Sequence, residues 1–118
     1  MRVLICGSRS WSDYSAVERV VASLPKDTVI IEGEARGADT FARLAAEKFG
    51  LEVEMYPAQW DKLGRSAGYR RNEEMLSMGR PDVVVYFADD LEKSFGTAHM
   101  VRIARTAKVR IVNGKEVK

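Results

Sequence analysis

Apolar residues along this chain alternate between short continuous runs and longer stretches with helical spacing. The short runs are rich in Val, Ile and Leu and are bounded by Gly, Pro or charged residues, which is typical of strands. Between them, apolar side chains recur three or four positions apart, which predicts amphipathic helices. The predicted strands cover residues 2–6, 29–31, 51–56, 83–87 and 109–112, and the predicted helices cover residues 14–24, 38–49, 69–78 and 97–107.

Residues at the ends of these segments support the helix assignments. Ser12 and Asp13 precede the first helix, and either side chain can accept a hydrogen bond from its free amides. Pro25 ends that helix, and Gly50 stands where the second helix needs a C-cap. Residues 58–68 show neither period, so we expect an irregular segment there.

Strands that alternate with helices are joined by right-handed crossovers, which place the strands side by side in parallel. The sequence therefore predicts the α/β class, as a single Rossmann-like three-layer domain with a mostly parallel five-stranded sheet. We expect this domain to span residues 1–113 and residues 114–118 to form a frayed tail.

The composition is that of one ordinary domain without a strong charge bias. The chain has 118 residues, 46% of them hydrophobic, and a formal net charge of +2, which is too small to indicate bulk nucleic-acid binding. Cys6 is the single cysteine, which excludes an internal disulfide and suits a reducing compartment. No apolar run reaches the roughly 18 residues that span a bilayer, and no signal peptide is evident. We therefore expect a cytoplasmic protein with no membrane partner.

Glycine-containing turns follow three of the predicted strands. Glycine amides can approach an anion closely, and a helix that starts after them adds the positive end of its dipole. Because the carboxyl ends of parallel strands share one edge of the sheet, we expect these turns to surround a phosphorylated small molecule, although each turn alone also suits a structural role. The predicted ligand-binding residues are Gly7, Ser8 and Arg9, then Gly33, Arg36 and Gly37, and finally Gly96 and Thr97.

A basic segment that contains glycine follows Trp60. Residues 62–72 carry four positive charges and no acid. Arginine suits bidentate contacts to phosphate, and an aromatic ring can stack on a base. We therefore expect Trp60 or Tyr69 to stack on a base and Arg70 and Arg71 to neutralise phosphate. The alternative is a solvated loop in which Trp60 only covers the edge of the core.

Taken together, these motifs resemble one family over nearly the whole chain. The residues that carry the resemblance are Gly7-Ser8-Arg9, Gly33 with residues 35–39, Pro57-Ala58, Trp60, Gly64, Ala67-Gly68, Arg70-Arg71-Asn72 with Met75, and Gly96-Thr97-Ala98. They are similar to the YspA-like branch of the SLOG superfamily, the Rossmann-like domain shared by Smf/DprA DNA-processing proteins and Lonely Guy cytokinin-activating enzymes. The resemblance implies a short bacterial or phage protein that binds a nucleotide or nucleotide-derived signal, as a dimer or larger homo-oligomer.

Lonely Guy enzymes cleave the N-glycosidic bond of a nucleoside monophosphate, and this chain keeps only part of their signature. Arg71 and Met75 match the first element, whereas Asn72 replaces its lysine. Gly96-Thr97 match the second element, but His99 stands where the catalytic glutamate is expected. An imidazole cannot supply the negative charge that stabilises an oxocarbenium-like transition state. We therefore expect phosphate binding to be retained, with His99 as a ligand contact.

Another carboxylate is needed if the chain is an enzyme. The candidates are Asp39, at the start of the second predicted helix, and Asp89 and Asp90, after the fourth predicted strand; Glu32, after the second predicted strand, is a further acid near the second turn. Each of them is equally suited to holding ribose hydroxyls or to a structural role. The His, Cys, Asp and Glu residues show no metal-ligand spacing, so we expect no metal and no cofactor.

Three functions follow from these residues, in order of preference. The first is a sensor or sequestering module for a nucleotide or nucleotide-derived ligand. The second is a hydrolase that cleaves the N-glycosidic bond of nucleoside monophosphates with one of the candidate acids. The third is a protein that binds single-stranded DNA through the basic segment and the basic C-terminal face from Val101 onward, with nucleic acid as the less favoured partner. Met75, Met78 and Met100 are candidates for the interface of a homo-oligomer or for the core.

Overall fold

Five parallel strands form one sheet in the order β3-β2-β1-β4-β5, with helices on both faces. The computed structural model describes residues 1–118, except for the side chain of Arg65. This architecture confirms the predicted α/β, Rossmann-like fold, and the sheet is wholly parallel. The elements are β1 (Arg2–Gly7), α1 (Tyr14–Ala22), β2 (Val29–Glu32), α2 (Ala38–Phe49), β3 (Glu52–Met55), α3 (Trp60–Leu63), α4 (Ala67–Ser77), β4 (Val83–Phe87), α5 (Phe95–Thr106) and β5 (Arg110–Asn113).

The strand order reverses between β1 and β4. From β1 the chain runs outward through β2 to β3, then returns to place β4 on the other side of β1. Val3 pairs with Val83 and Gly7 with Phe87, so the carboxyl ends of these two strands lie side by side. The loops that follow them connect to helices on opposite faces, which opens a crevice at this edge of the sheet.

Alternate residues of the strands supply two separate cores. Val3, Ile5 and Ile30 face α1 and α2, whereas Leu4 and Ile31 face α4 and α5. All five side chains are fully buried, as expected for a parallel sheet covered on both faces. The two helical layers are therefore held in place on either side of the crevice.

Local signals set the helix ends much as the sequence indicates. The Asp13 carboxylate accepts a hydrogen bond from the Ala16 amide at 3.3 Å, so Asp13, not Ser12, caps α1. Gly50 adopts the left-handed conformation that ends α2. The prediction of an irregular segment over residues 58–68 is wrong, because α3 and a 3-10 turn over Gly64–Ser66 occupy most of it.

Two further regions differ from the sequence-based expectations. Residues 114–118 are not simply a frayed tail, since Gly114–Glu116 form a 3-10 turn and Gly114 is buried against the ring of Phe87. Met75 and Met100 are buried in the core beneath α4 and α5, which removes them as interface candidates, while Met78 is exposed. In the described part of the chain, no helix has both the length and the apolar character to cross a membrane.

Candidate functional site

A cleft of about 590 Å³ lies at the carboxyl ends of β1 and β4, where the strand order reverses. This volume is within the usual range for small-molecule sites. Residues from all three predicted glycine turns and from the basic segment meet there. The predicted site residues that line the cleft are Gly7, Ser8, Arg9, Asp39, Trp60, Tyr69, Arg71, Gly96 and Thr97.

Close backbone approach requires glycine at two positions beside the cleft. A Cβ atom on Gly7 would collide with the Phe87 carbonyl oxygen and the Ala38 side chain. Gly37 has a φ of +76°, and a Cβ atom there would collide with the carbonyl oxygen of Ser8. The loop after β1 and the loop after β2 therefore touch through their backbones. Both glycines shape the site because they allow this close approach.

Asp39 organises the loop that precedes α2. One of its carboxylate oxygens accepts hydrogen bonds from the amides of Gly33 at 2.8 Å and Ala35 at 3.5 Å. Burial raises the pKa of Asp39 to about 6, although Arg71 and the amide hydrogen bonds act in the opposite direction. Asp39 is thus a structural anchor of the loop and also a buried acid at the cleft, with a pKa close to neutrality.

The first turn of α5 lines the cleft. Ser94 is the N-cap residue but makes no side-chain cap hydrogen bond to the helix; its hydroxyl donates to the Thr97 hydroxyl at 3.0 Å. The free amides at the start of a helix and its dipole favour a bound anion. Lys93 also lines the cleft beside this turn, which adds a positive charge that the sequence reasoning missed.

A chain of hydrogen bonds links Arg71 to the start of α5. Arg71 donates from Nη1 to the Gly33 carbonyl at 2.6 Å and from Nε to Oδ1 of Asn72 at 3.1 Å. The Asn72 amide nitrogen lies 3.0 Å from the Gly96 carbonyl and 3.1 Å from Nδ1 of His99. Asn72 therefore links Arg71, which holds the loop after β2, to the first turn of α5.

Aromatic rings lie along the wall of the cleft. The Arg9 guanidinium carbon is 5.3 Å from the centre of the Trp60 ring, a cation–π geometry. Tyr69 packs on His99 with ring centres 4.6 Å apart. Trp60 and Tyr69 are both nearly half exposed, and Phe95, also lining the cleft, is 73% exposed. These rings offer apolar surface on which a base can stack.

Several predicted residues lie outside the cleft. Asp89 lines a separate pocket on the α1 side with Arg19 and Lys115, and Asp90 caps the 3-10 turn at Leu91–Lys93 through the Glu92 amide. His99 packs on Tyr69 and lies within hydrogen-bond distance of Asn72, so it supports the cleft wall. Burial lowers the pKa of His99. Arg70 is exposed on α4.

Two other predicted residues line an adjoining pocket. Gly33 and Arg36 belong to a compartment of about 350 Å³ that shares Arg9, Trp60 and Arg71 with the cleft. The basic segment thus contributes Arg71 directly, while Arg65 lies outside the described side chains.

The sequence placed the Glu32 carboxyl group near the second glycine turn, but its full burial was not predicted. This side chain is fully buried at the end of β2, and one oxygen accepts a hydrogen bond from the Glu34 amide at 2.7 Å. Its other oxygen has no partner among the described residues. Burial raises the pKa of Glu32 to about 7. The sequence does indicate to which face of the sheet this side chain points, because Glu32 is two positions after Ile30 and so shares its covered face.

The chain is similar to a described family and to two known proteins. The sequence profile of the YspA, cpYpsA-related SLOG family matches residues 1–63. Gene 61 protein of Mycobacterium phage D29 is 37% identical over 121 residues, which cover 95% of this chain and 94% of that protein. DNA processing protein A (DprA) from Streptococcus pneumoniae matches 98% of this chain with a TM-score of 0.58 and 18% identity. This chain spans 59% of that DprA chain, and the likeness is one of fold.

Proposed function

This chain belongs to the YspA, cpYpsA-related SLOG family, and from that premise we propose that its cleft binds a nucleotide or a nucleotide-derived phosphorylated ligand. The family and the DprA-like fold are consistent with a role in nucleotide or DNA processing. The observation that carries the proposal is the convergence of Arg9, Arg71 and Lys93 with the first turn of α5 in one aromatic-lined cleft.

Charge and backbone donors in the cleft suit a phosphate group. Arg71 is half-buried and already oriented by Gly33 and Asn72, so little side-chain entropy is lost when its remaining nitrogen contacts an anion. The α5 amides and the Thr97 hydroxyl supply further donors. A phosphate bound between Arg71 and α5 would place an attached nucleoside beside Trp60, Tyr69 or Phe95.

Replacement of Arg71 by alanine tests this assignment. We expect Arg71→Ala to weaken binding of a nucleoside monophosphate by about 2 kcal/mol, roughly 30-fold, as expected for loss of a charge-assisted hydrogen bond. The measurement is isothermal titration of purified protein with the 5′-monophosphates of the four ribonucleosides. Arg105→Ala is the matched control, because Arg105 is exposed near the far end of α5. An Arg71→Ala isotherm identical to that of Arg105→Ala would remove Arg71 from the site.

A second candidate function is hydrolysis of the N-glycosidic bond of such a nucleotide. One observation favours it: Asp39, alone of the three candidate acids, lines the cleft. A carboxylate beside the ribose can stabilise an oxocarbenium-like transition state, the role for which His99 is unsuited. Asp39 must be ionised for that role, so burial, which raises its pKa to about 6, makes the proposed reaction depend on pH near neutrality.

Turnover and its pH dependence test the hydrolase. We expect base release to rise with pH through about 6, as Asp39 loses its proton, and to fall at least 100-fold in Asp39→Asn while ligand binding persists. Asparagine keeps an oxygen for the Gly33 and Ala35 amides, so the loop is retained. The assay is chromatography of nucleoside monophosphates after incubation. Equal base release by Asp39→Asn and the parent protein would rule out Asp39 as the stabilising acid.

A third candidate is binding of single-stranded DNA. The observation in its favour is that Arg9 and Trp60 are exposed at an open cleft, which is the combination of cation and stacking ring used for single strands. Affinity that falls steeply with salt would be its signature.

A further inference from the structure

Trp60 and Arg9 form a partition between two compartments of the ligand site. The Arg9 guanidinium lies 5.3 Å from the Trp60 ring centre, and both residues line the cleft on one side and the adjoining pocket of about 350 Å³ on the other. Arg71 lines both compartments as well. Lys93 and the first turn of α5 belong only to the cleft, whereas Arg36 belongs only to the adjoining pocket, which we call the second compartment.

The second compartment has an excess of positive charge. Arg9, Arg36 and Arg71 line it, and Glu34 is the single carboxylate among its lining residues. None of the ion pairs between described side chains involves these three arginines. Three guanidinium groups around a small concave space repel one another, an anion between them offsets that repulsion, and an arginine whose nitrogens are free contacts phosphate through two of them at once.

The backbone along the second compartment is held in place by side chains. The loop at residues 33–36 runs along the second compartment, with Glu34 in the left-handed conformation at φ 57°. Asp39 holds the Gly33 and Ala35 amides, and Arg71 is tied to the Gly33 carbonyl, so the wall of the compartment is rigid. A Cβ atom on Gly33 would collide with the Arg71 guanidinium, which makes glycine a condition of this arrangement.

We propose that the site binds a nucleotide with phosphoryl groups at both ends of its nucleoside, one at the start of α5 and the other among Arg9, Arg36 and Arg71. This inference rests on the proposed nucleotide-binding function and specifies its ligand. A single phosphoryl group contacts one side of the Arg9–Trp60 partition, whereas a phosphate–nucleoside–phosphate unit reaches both. That unit occurs in a free nucleoside 3′,5′-bisphosphate and inside a single-stranded nucleic acid.

Titration with ligands of graded charge tests the inference. The probes are the 5′-monophosphate, the 5′-diphosphate and the 3′,5′-bisphosphate of each of the four ribonucleosides, and a 12-nucleotide single strand. We expect the bisphosphate of at least one base to bind ten times more tightly than its monophosphate and its diphosphate. The diphosphate is the control for charge alone, because its second phosphate adjoins the first. A diphosphate that gains as much as the bisphosphate overturns the proposal.

Variants of Arg36 separate this inference from the proposed function. Arg36 is exposed and lines only the second compartment, so Arg36→Ala should remove the tenfold gain of the bisphosphate over the monophosphate, while Arg36→Lys keeps part of the gain. A gain that survives Arg36→Ala overturns the proposal even though nucleotides bind. Absence of binding by every probe would instead overturn the nucleotide-binding function itself.

The 12-nucleotide single strand, used as a probe, identifies the source of the doubly phosphorylated unit. Tighter binding of the 12-mer than of any bisphosphate, with the gain lost in Arg36→Ala, assigns the unit to single-stranded nucleic acid. Tighter binding of a bisphosphate assigns it to a small molecule. Either result, combined with the Arg36→Ala effect, supports the two-phosphate site.

Discussion

Substitution of Gly37 by alanine is expected to destabilise the protein by about 4 kcal/mol, which lowers the melting temperature by about 15 °C for a domain of this size. Two physical effects add at this position. The backbone has φ 76° and ψ −125°, a conformation that residues with a Cβ atom rarely adopt. The new Cβ atom would also collide with the Ser8 carbonyl oxygen and lie 2.9 Å from the Arg9 carbonyl oxygen, so backbone has to move.

Gly50→Ala is the matched control for this experiment. Gly50 also has a positive φ, 72°, but a Cβ atom there would meet nothing within 4 Å. We expect Gly50→Ala to cost only about 1 kcal/mol, the strain of the left-handed conformation alone. Thermal denaturation of both variants measures the difference. Equal losses would show that the contact between the loops after β1 and β2 contributes nothing to stability.

Removal of the Glu32 charge is expected to stabilise the protein at alkaline pH and destabilise it in acid. Burial raises the pKa of Glu32 from 4.5 to about 7, so the folded state binds a proton that the unfolded state has already lost. Stability therefore falls as pH rises between those values, and above pH 7 the ionised carboxylate costs about 3 kcal/mol. Glu32→Gln abolishes that cost but leaves a buried amide without a partner, at about 1 kcal/mol.

Denaturant unfolding at several pH values measures this change. Glu32→Gln should be about 2 kcal/mol more stable than the parent protein at pH 8 and about 1 kcal/mol less stable at pH 4, so the two curves cross. Asp39, whose pKa burial raises to about 6, contributes its own decline to both proteins, and its charge adds to the rise in the pKa of Glu32 that burial causes. Glu47→Gln is the control, because Glu47 is exposed on α2. Parallel curves for Glu32→Gln and the parent would contradict a buried, neutral Glu32.

The predictions for Gly37 and Glu32 both concern the loop that joins β2 to α2. Gly37 lets the loop before α2 approach the loop after β1, and Glu32 lies fully buried at the point where that loop leaves the sheet. An ionised buried carboxyl group lowers stability, and carboxyl groups with perturbed pKa values concentrate at functional sites. Their position beside the cleft agrees with the proposed ligand site.

The family, and the edge of the sheet at which the glycine turns lie, were predictable from the sequence. The motifs of the chain resembled SLOG proteins, and the family match over residues 1–63, with the relative that covers 95% of the chain, confirms the family. The glycine turns were placed correctly because parallel strands always bring their carboxyl ends to one edge. The assignment of single residues to ligand contact stays a prediction, and the structure narrows it to those that line the two compartments.

Predictions for side chains just beyond a strand were less successful. Asp89 follows β4 at the expected edge, yet it lines a pocket on the α1 side of the sheet. Strand direction determines at which edge a loop begins, but it does not determine on which face the next side chain lies. Asn72 falls within the buried stripe of α4 that includes Met75, so its face of the helix was predictable, but its contacts to Gly96 and His99 come from a segment distant in sequence.

The alternation of strands and helices, the α/β class and the family could be predicted from the sequence, because hydrophobic periodicity and short motifs are local properties. The folded structure was needed to show that Arg36 lies beyond the Arg9–Trp60 partition and that His99 supports the cleft wall. These properties depend on which distant segments pack together. The strand pattern indicates to which face of the sheet Glu32 points, but the burial that raises the pKa values of Glu32 and Asp39 is created by the packed fold.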